Sequence, residues 1–576
     1  MSFSGGRLFR DPVLAVGLVV VVAFILISIL YPIMTMLGVA FSADGLALLV
    51  KYLTERIYLN LVGNTFLLGI VVGVAGTALG FLFAYVQVKV DVPFKRFMHL
   101  MALVPLISPP FALATAFLIL FGRNGLISKG VFGVRADVYG LSGLSFVLTL
   151  SLFTVAYLNL KGMLQALDPA MEEAATNLGA SRWHVFRTVT LPMLLPGILS
   201  SFLLLFVEAI ADLGNPLVLG GDFEVLAMRV YVSVIGLYDT TAASVFAIIL
   251  LLPALLVFVV QRYWVNRISV ITVTGKPTGN VQMIENPWIR WTLFAVIMAF
   301  CVLIILLYAS IFIGAFARVP GVNHEFTLKN FEFVIKGYGS EAMVDTTLFS
   351  VVATPIAGIL GIVIAFLVVR KKFRGRALID FGTMLGIAVP GTIIGIGFLL
   401  AFNVPSNIYL PFQDAAGQPL YITLIPKLTG GRALLGGALA IVLVYIVRSV
   451  PAALRSGAGA LSQIDPAIEE ASISLGADSG LTFRKITLPL IRPAFLSGLI
   501  YAFARSMTTI SAIVFLTTPQ TRIMTQQILN ETEQGRFGNA FAYCVILIGI
   551  VLAAMAVLYF VVGSTTGAER GLEGGA

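Results

Sequence analysis

Along its whole length the chain alternates long apolar runs with short polar connections. An α-helix needs about 20 mainly apolar residues to cross the hydrocarbon core of a bilayer. Twelve runs meet that test, at about 13–37, 61–87, 98–121, 141–160, 193–219, 243–263, 291–316, 347–369, 380–402, 432–453, 490–517 and 538–562. A cleaved signal peptide has an apolar core of roughly 7–15 residues and a small-residue cleavage site. The first run, Val13 to Leu37, is longer and lacks such a site, so it reads as a membrane helix. Pro109, Pro110 and Pro390 are expected to break or kink runs three and nine. The spacings Gly76/Gly80 and Gly358/Gly361 in runs two and eight suit close helix packing.

The pattern occurs twice. The segment "DPAMEEAATNLGASRWHVFRTVTLP" (Asp168–Pro192) returns as "DPAIEEASISLGADSGLTFRKITLP" (Asp465–Pro489), at a constant offset of 297. From Asp168 to Pro196, 15 of 29 positions are identical between the copies. Runs two and three align with runs eight and nine at an offset of 281, which brings Pro109 onto Pro390. The 16-residue difference fits the longer connection "VPSNIYLPFQDAAGQPLYITLIPKLTGG" in the second copy. The expected organisation is therefore an all-α polytopic membrane protein of two tandem six-helix halves. Residues 1–265 form the first half, 266–290 a linker containing Gly and Pro, and 291–576 the second half. Six spans per half make the repeats parallel. That predicts a pseudo-twofold axis along the membrane normal, with a pathway at the interface.

Composition agrees with this pattern. Hydrophobic residues make up 59%, charged residues 11%, and the mean hydropathy is +1.00. Soluble domains carry roughly 25% charged residues. The net charge of +9 does not point to nucleic acid, because basic residues of membrane proteins collect in cytoplasmic loops. Most Lys and Arg, including "RKKFRGR" (Arg370–Arg376), Lys89, Lys95 and Arg96, fall on one side when both termini are cytoplasmic. Both copies of the polar segment then face the cytoplasm. Cys301 and Cys544 lie in apolar runs, and His99, His184 and His324 are far apart. These positions give neither a disulfide framework nor a local metal cluster.

The polar segment has a readable local structure. Asp168 is a candidate N-cap, and Pro169 suits the first helical position. Glu172 and Glu173 sit near the helix start, where carboxylates are favoured. Gly179 stops the helix, a second short helix follows, and Pro192 precedes the next span. Asp465, Pro466, Glu469, Glu470, Gly476 and Pro489 repeat this pattern. One copy alone could be an amphipathic connector. Two copies retaining Glu-Glu-Ala, Leu-Gly-Ala, Phe-Arg and Thr-Leu-Pro favour a docking surface used twice.

The pattern Glu-Ala-Ala, three residues, Gly, nine residues, Ile-x-Leu-Pro resembles the cytoplasmic signature of bacterial ABC importer permeases. The first copy gives Glu173-Ala174-Ala175, Gly179 and Val189-Thr190-Leu191-Pro192; the second gives Glu470-Ala471-Ser472, Gly476 and Ile486-Thr487-Leu488-Pro489. Val189 and Ser472 are mild departures. The resemblance covers nearly the whole chain as two fused permease halves of the type I fold. It implies that each segment is a coupling helix that docks in an ATP-binding subunit. The candidate docking residues are Glu172, Glu173, Ala174, Gly179 and Ala180, with Glu469, Glu470, Ala471, Gly476 and Ala477 in the second copy. It also implies two cytoplasmic ATPase subunits, an external substrate-binding protein and residence in the bacterial inner membrane. The chain has no G-x-x-x-x-G-K-[ST] motif; "TGKPT" places Pro277 after Lys276. ATP and Mg are thus expected in the partner, with no cofactor, metal or catalytic residue in this chain.

Three ionisable residues are read inside spans: Glu208, Asp212 and Arg505. Such groups are costly in the membrane and usually face a bundle interior or water-filled cavity. Glu208 and Arg505 are separated by 297, the repeat offset, and Asp212 corresponds to Thr509. These four are pathway or gate candidates. Glu208 and Arg505 form a gate ion pair in one reading, a static bridge in another, and make no contact in a third. The fused length, "ADLGNPLVLGG" and "SMTTISAIVFL" resemble the ferric-iron branch, which is similar to permeases for phosphonates, sugar phosphates and thiamine. An ion-coupled secondary transporter would share the duplication and the buried carboxylates, but not the paired docking segments.

Overall fold

A computed structural model describes residues 12–109, 111–263, 283–284, 286–336, 338–371, 373–413 and 419–573. Most of the proposed linker, together with Pro110, Lys276 and Pro277, lies outside the described residues. Among the described residues, nine helices are long and apolar enough to cross a membrane. Three bent helix pairs raise the number to as many as twelve if each pair is one span. Lys95–Ile107 and Ala112–Phe121 meet at 110°, Arg376–Ala388 and Gly391–Phe402 at 104°, and Gly480–Pro493 and Phe495–Thr508 at 61°. Runs three and nine are thus broken rather than merely kinked. Two antiparallel hairpins decorate the connections, Ala317–Val319 with Asn323–Phe326 and Ser406–Gln413 with Pro419–Ile425.

Packing groups the chain into two compact units, and each includes sequence from both repeats. One unit contains residues 1–46, 332–528 and 545–576. There the helices Tyr338–Arg370, Ala438–Gln463 and Leu488–Thr508 pack together. The first apolar run, ending in helix Tyr31–Ala40, lies against Gly391–Phe402. Tyr31 donates its hydroxyl to the Ala401 carbonyl at 3.3 Å. The other unit contains residues 47–331 and 529–544. Arg56–Lys89, Leu141–Ala166 and Leu191–Ala211 form its core, and Pro287–Ala315 packs on Lys95–Ile107 and Ala112–Phe121.

The repeat is visible in individual contacts. A Cβ on Gly80 would lie 2.7 Å from Ala156 Cβ, and one on Gly361 would lie 2.4 Å from Ala453 Cβ. These two pairs keep the sequence offsets of 281 and 297. In each unit the glycine lets two long helices cross backbone to backbone. Gly76 and Gly358 instead make room for side chains, those of Leu205 and Leu499.

Three prolines share one local geometry. π-turns at Leu26–Leu30, Phe186–Thr190 and Phe483–Thr487 are each followed two residues later by a proline: Pro32, Pro192 and Pro489. A proline cannot donate to the carbonyl four residues back, and its ring crowds that carbonyl. The wider turn absorbs the misfit. Consequently the second arm of each polar segment does not stop before Pro192 or Pro489. It runs through the π-turn into Leu191–Ala211 or Leu488–Thr508.

The break in run nine is closed by a charged residue that belongs with Glu208, Asp212 and Arg505. Arg448, in the middle of Ala438–Gln463, is only 7% exposed. Its Nη1 donates to the Gly386 carbonyl at 3.2 Å and the Val389 carbonyl at 3.0 Å. The helical partner of the Gly386 carbonyl would be the N–H of residue 390, which is a proline. Arg448 supplies the missing donor at a helix end where cations are favoured. A buried acceptor left without its charged donor costs roughly 1–3 kcal/mol. Arg448→Leu is therefore expected to lower the unfolding temperature of the detergent-solubilised protein, with Arg448→Lys retaining part of the loss. A thermal scan of the purified variants reads this directly.

Candidate functional site: the paired docking segments

The two polar segments fold alike. Asp168 caps helix Pro169–Asn177 by accepting from the Ala170 N–H at 3.0 Å, and Asp465 accepts from Ala467 at 2.9 Å ahead of Pro466–Ser474. Gly179 and Gly476 end these helices with φ of +87° and +92°. A Cβ on either would meet nothing within 4 Å. The glycine is thus required by the left-handed backbone rather than by crowding. Ser181 or Asp478 then caps the short second arm through His184 or Leu481.

Adjacent glutamates face different surroundings. The Glu172 side chain is buried and bonds within its own unit. Its Oε2 pairs with Lys89 Nζ at 2.5 Å, and its Oε1 accepts from Thr190 Oγ1 at 2.8 Å. Glu469 repeats the arrangement: Arg370 Nε lies 3.2 Å from its Oε1, which also accepts from Thr487 Oγ1 at 2.9 Å. Arg370 Nη2 donates to the Ile464 carbonyl at 2.9 Å. Lys89 and Arg370 are each the last residue of a long helix, Arg56–Lys89 and Tyr338–Arg370. The spacing between them is 281, the repeat offset, which is the sequence signal that would have revealed them.

The face away from these braces is open and partly apolar. Glu173 is half-buried, whereas Ala174, Glu470 and Ala471 are exposed. Ala180 and Ala477 are half-buried, and Gly179 and Gly476 are exposed. Leu178 and Leu475, at equivalent positions, are each 89% exposed; Met171 and Ile468 are also exposed. Two short helices thus present the same leucine beside the same glycine turn. In the first segment, Ile284 donates to the Lys89 carbonyl at 3.0 Å, so residues at the end of the linker rest beside the brace.

The pathway candidates occupy matching helix ends. Glu208 and Arg505 each lie three residues before the last residue of Leu191–Ala211 and Leu488–Thr508. Asp212 and Thr509 follow with nearly equal backbone angles, φ −69° and −71°, ψ 130° in both. Asp212 Oδ2 accepts from Asn215 N at 3.0 Å and Nδ2 at 2.9 Å. Thr509 donates to the Arg505 carbonyl at 2.6 Å. Both thus shape the turn after the span. Among the described residues, no group of three or more His, Cys, Asp or Glu side chains could hold a metal ion.

The chain is thus a duplicated set of candidate membrane helices with two matching polar segments, and its class follows from what it is similar to. The family model for the binding-protein-dependent transport system inner membrane component matches residues 76–270 and 357–565, and the chain belongs to that family. It is 33% identical over 527 residues to the ferric transport system permease protein FbpB of Actinobacillus pleuropneumoniae, covering 90% of this chain and 73% of the relative. A putative ferric transport system permease protein, FbpB 1, of Haemophilus influenzae is 31% identical over 527 residues, with 89% and 79% covered. A solved bacterial ABC transporter involved in alginate import aligns with a TM-score of 0.40 and 16% identity, over 46% of this chain and 99% of that chain. The protein is a multi-pass permease of a binding-protein-dependent ABC importer, a transport subunit rather than an enzyme.

The exposed leucines give a test of the open face. Leu178→Asp with Leu475→Asp is expected to leave folding intact, because neither side chain is packed. Removing an interface anchor typically costs about 2 kcal/mol or more. Co-purification with the ATP-binding subunit expected to dock here should therefore fall by at least about tenfold.

Proposed function

We propose that the chain is the transmembrane permease of an ATP-driven importer for ferric iron, delivered by an external binding protein. The observation that carries this reading is similarity to two ferric transport permeases across about nine-tenths of the chain, together with two intact docking segments. In this reading both termini are cytoplasmic, and each segment receives one copy of an ATP-binding subunit. Glu173 and Glu470, with the leucines beside them, meet those subunits. ATP and Mg are used by the partners, and the binding protein selects the substrate. No nucleic acid takes part, and the remaining surroundings are lipid.

The test is uptake of radiolabelled ferric iron into proteoliposomes. They contain this chain, its ATPase and its binding protein, with ATP or a non-hydrolysable analogue. ATP-dependent uptake, lost in Glu173→Arg/Glu470→Arg, is the expected result. ATPase stimulation by the binding protein without iron uptake would transfer the substrate to organic anions such as phosphonates or sugar phosphates. Uptake indifferent to ATP and to both substitutions would overturn the reading.

Glu208 and Arg505 are proposed to act in the translocation pathway, since each places a charge at the same point of its repeat. Glu208→Gln and Arg505→Gln should each lower the uptake rate at least about tenfold, which is about 1.4 kcal/mol in the limiting barrier. Assembly with the ATPase, measured by co-purification, should be retained. Uptake equal to wild type in both variants would remove these residues from the pathway.

A further inference from the structure

The braces at Glu172 and Glu469 go beyond docking, though the inference rests on the importer reading above. Each carboxylate joins three elements. In the first repeat they are the end of Arg56–Lys89, the helix Pro169–Asn177 and the π-turn Phe186–Thr190. In the second repeat they are Tyr338–Arg370, Pro466–Ser474 and Phe483–Thr487. The long helix and the π-turn also meet through rings, Phe81 and Tyr85 with Phe186 in the first repeat and Phe366 with Phe483 in the second, so the carboxylate is what ties the docking helix to both. The side chains are nearly dry, at 6% and 11% exposure for Lys89 and Glu172 and 10% and 13% for Arg370 and Glu469.

A nine-residue helix has little stability of its own in water, and its position is set by what it is tied to. An exposed ion pair would tie it weakly, whereas a desolvated one with a second hydrogen bond fixes both direction and distance. The brace does not touch the exposed docking leucine. It faces the opposite way, into the span bundle. We propose that Glu172 and Glu469 are positioning residues that make each docking helix move as one body with the two spans beside it. A shift imposed by the ATP-binding subunit at Leu178 then reaches Leu191–Ala211 through Thr190. Glu208 lies 18 residues farther along that helix, about 27 Å away. The first repeat uses lysine and the second arginine, so the arrangement requires a cation at this point rather than one particular side chain.

The test uses the whole complex in lipid nanodiscs and proteoliposomes. Glu172→Gln/Glu469→Gln keeps size and the threonine bond but removes the ion pair. Uptake per ATP hydrolysed is expected to fall about tenfold, within the usual range of coupling between sites. Lys89→Arg/Arg370→Lys should keep the wild-type ratio. The exchange Lys89→Glu/Glu172→Lys should restore a good part of it in the first repeat. A second readout does not depend on the substrate. Hydrogen exchange of residues 211–219 should change when ATP is added to wild type, and should not respond in the glutamine variant with ATP still bound. An unchanged ratio and an unchanged exchange response in the glutamine variant would overturn the proposal. Loss of assembly in that variant, with uptake and ATP hydrolysis falling in parallel, would also overturn it, leaving a brace that only stabilises. A wild-type complex that carries no ferric iron would count against the substrate alone, and the exchange experiment would still decide the role of the brace.

Discussion

Inside a bilayer there is no water to satisfy a backbone N–H or C=O, so each must find a partner within the protein. Much of this architecture follows from that demand. It makes the apolar runs helical. It also makes every proline in them a local problem, because proline removes a donor and crowds an acceptor. Where a proline follows a π-turn, the wider turn absorbs the misfit and the helix continues. Where Pro390 breaks a span outright, Arg448 donates to the stranded carbonyls from a neighbouring helix. A charge that would be costly in hydrocarbon is stable there because it closes the break.

The same demand acts at the polar segments, where short helices meet the membrane spans. Glu172 and Glu469 would be expensive to bury alone. They are buried with a cation from one span and a hydroxyl from the start of another. This leaves Leu178 and Leu475 exposed on the other face of each segment. Anchoring on one face and exposure on the other is the arrangement that the proposed docking requires. Because both repeats do this with different cations, the geometry is a property of the repeat and not of one residue.

Some of this was legible in the sequence. Asp168 and Asp465 are caps because a short carboxylate before a Pro-led helix satisfies a free N–H, and this needs only neighbours in the chain. Gly179 and Gly476 are turns for the same local reason. The glycines of runs two and eight signalled close packing, and Gly80 and Gly361 meet Ala156 and Ala453. Arg448 lies within the tenth run, yet nothing local marks its role, because no neighbour in the chain says that a break in another span needs a donor. The motif pairs Glu172 with Glu173 as docking candidates, whereas the Glu172 side chain is taken up by Lys89 and Thr190.

Sequence by itself determined the number and length of the apolar runs, the duplication, the capped helices and the family to which the chain belongs. These rest on periodicity, on covalent neighbours and on offsets that can be counted. Tertiary structure decided which of two adjacent glutamates turns inward, because successive residues of a helix point about 100° apart. The choice depends on Lys89, 83 residues away along the chain. It decided also that the first span packs with helices of the second repeat and that Pro287–Ala315 packs with helices of the first. A run of apolar residues states that it must be buried in lipid or protein. It does not state against which helix, since apolar surfaces attract without direction and only the fit of neighbouring side chains selects the partner.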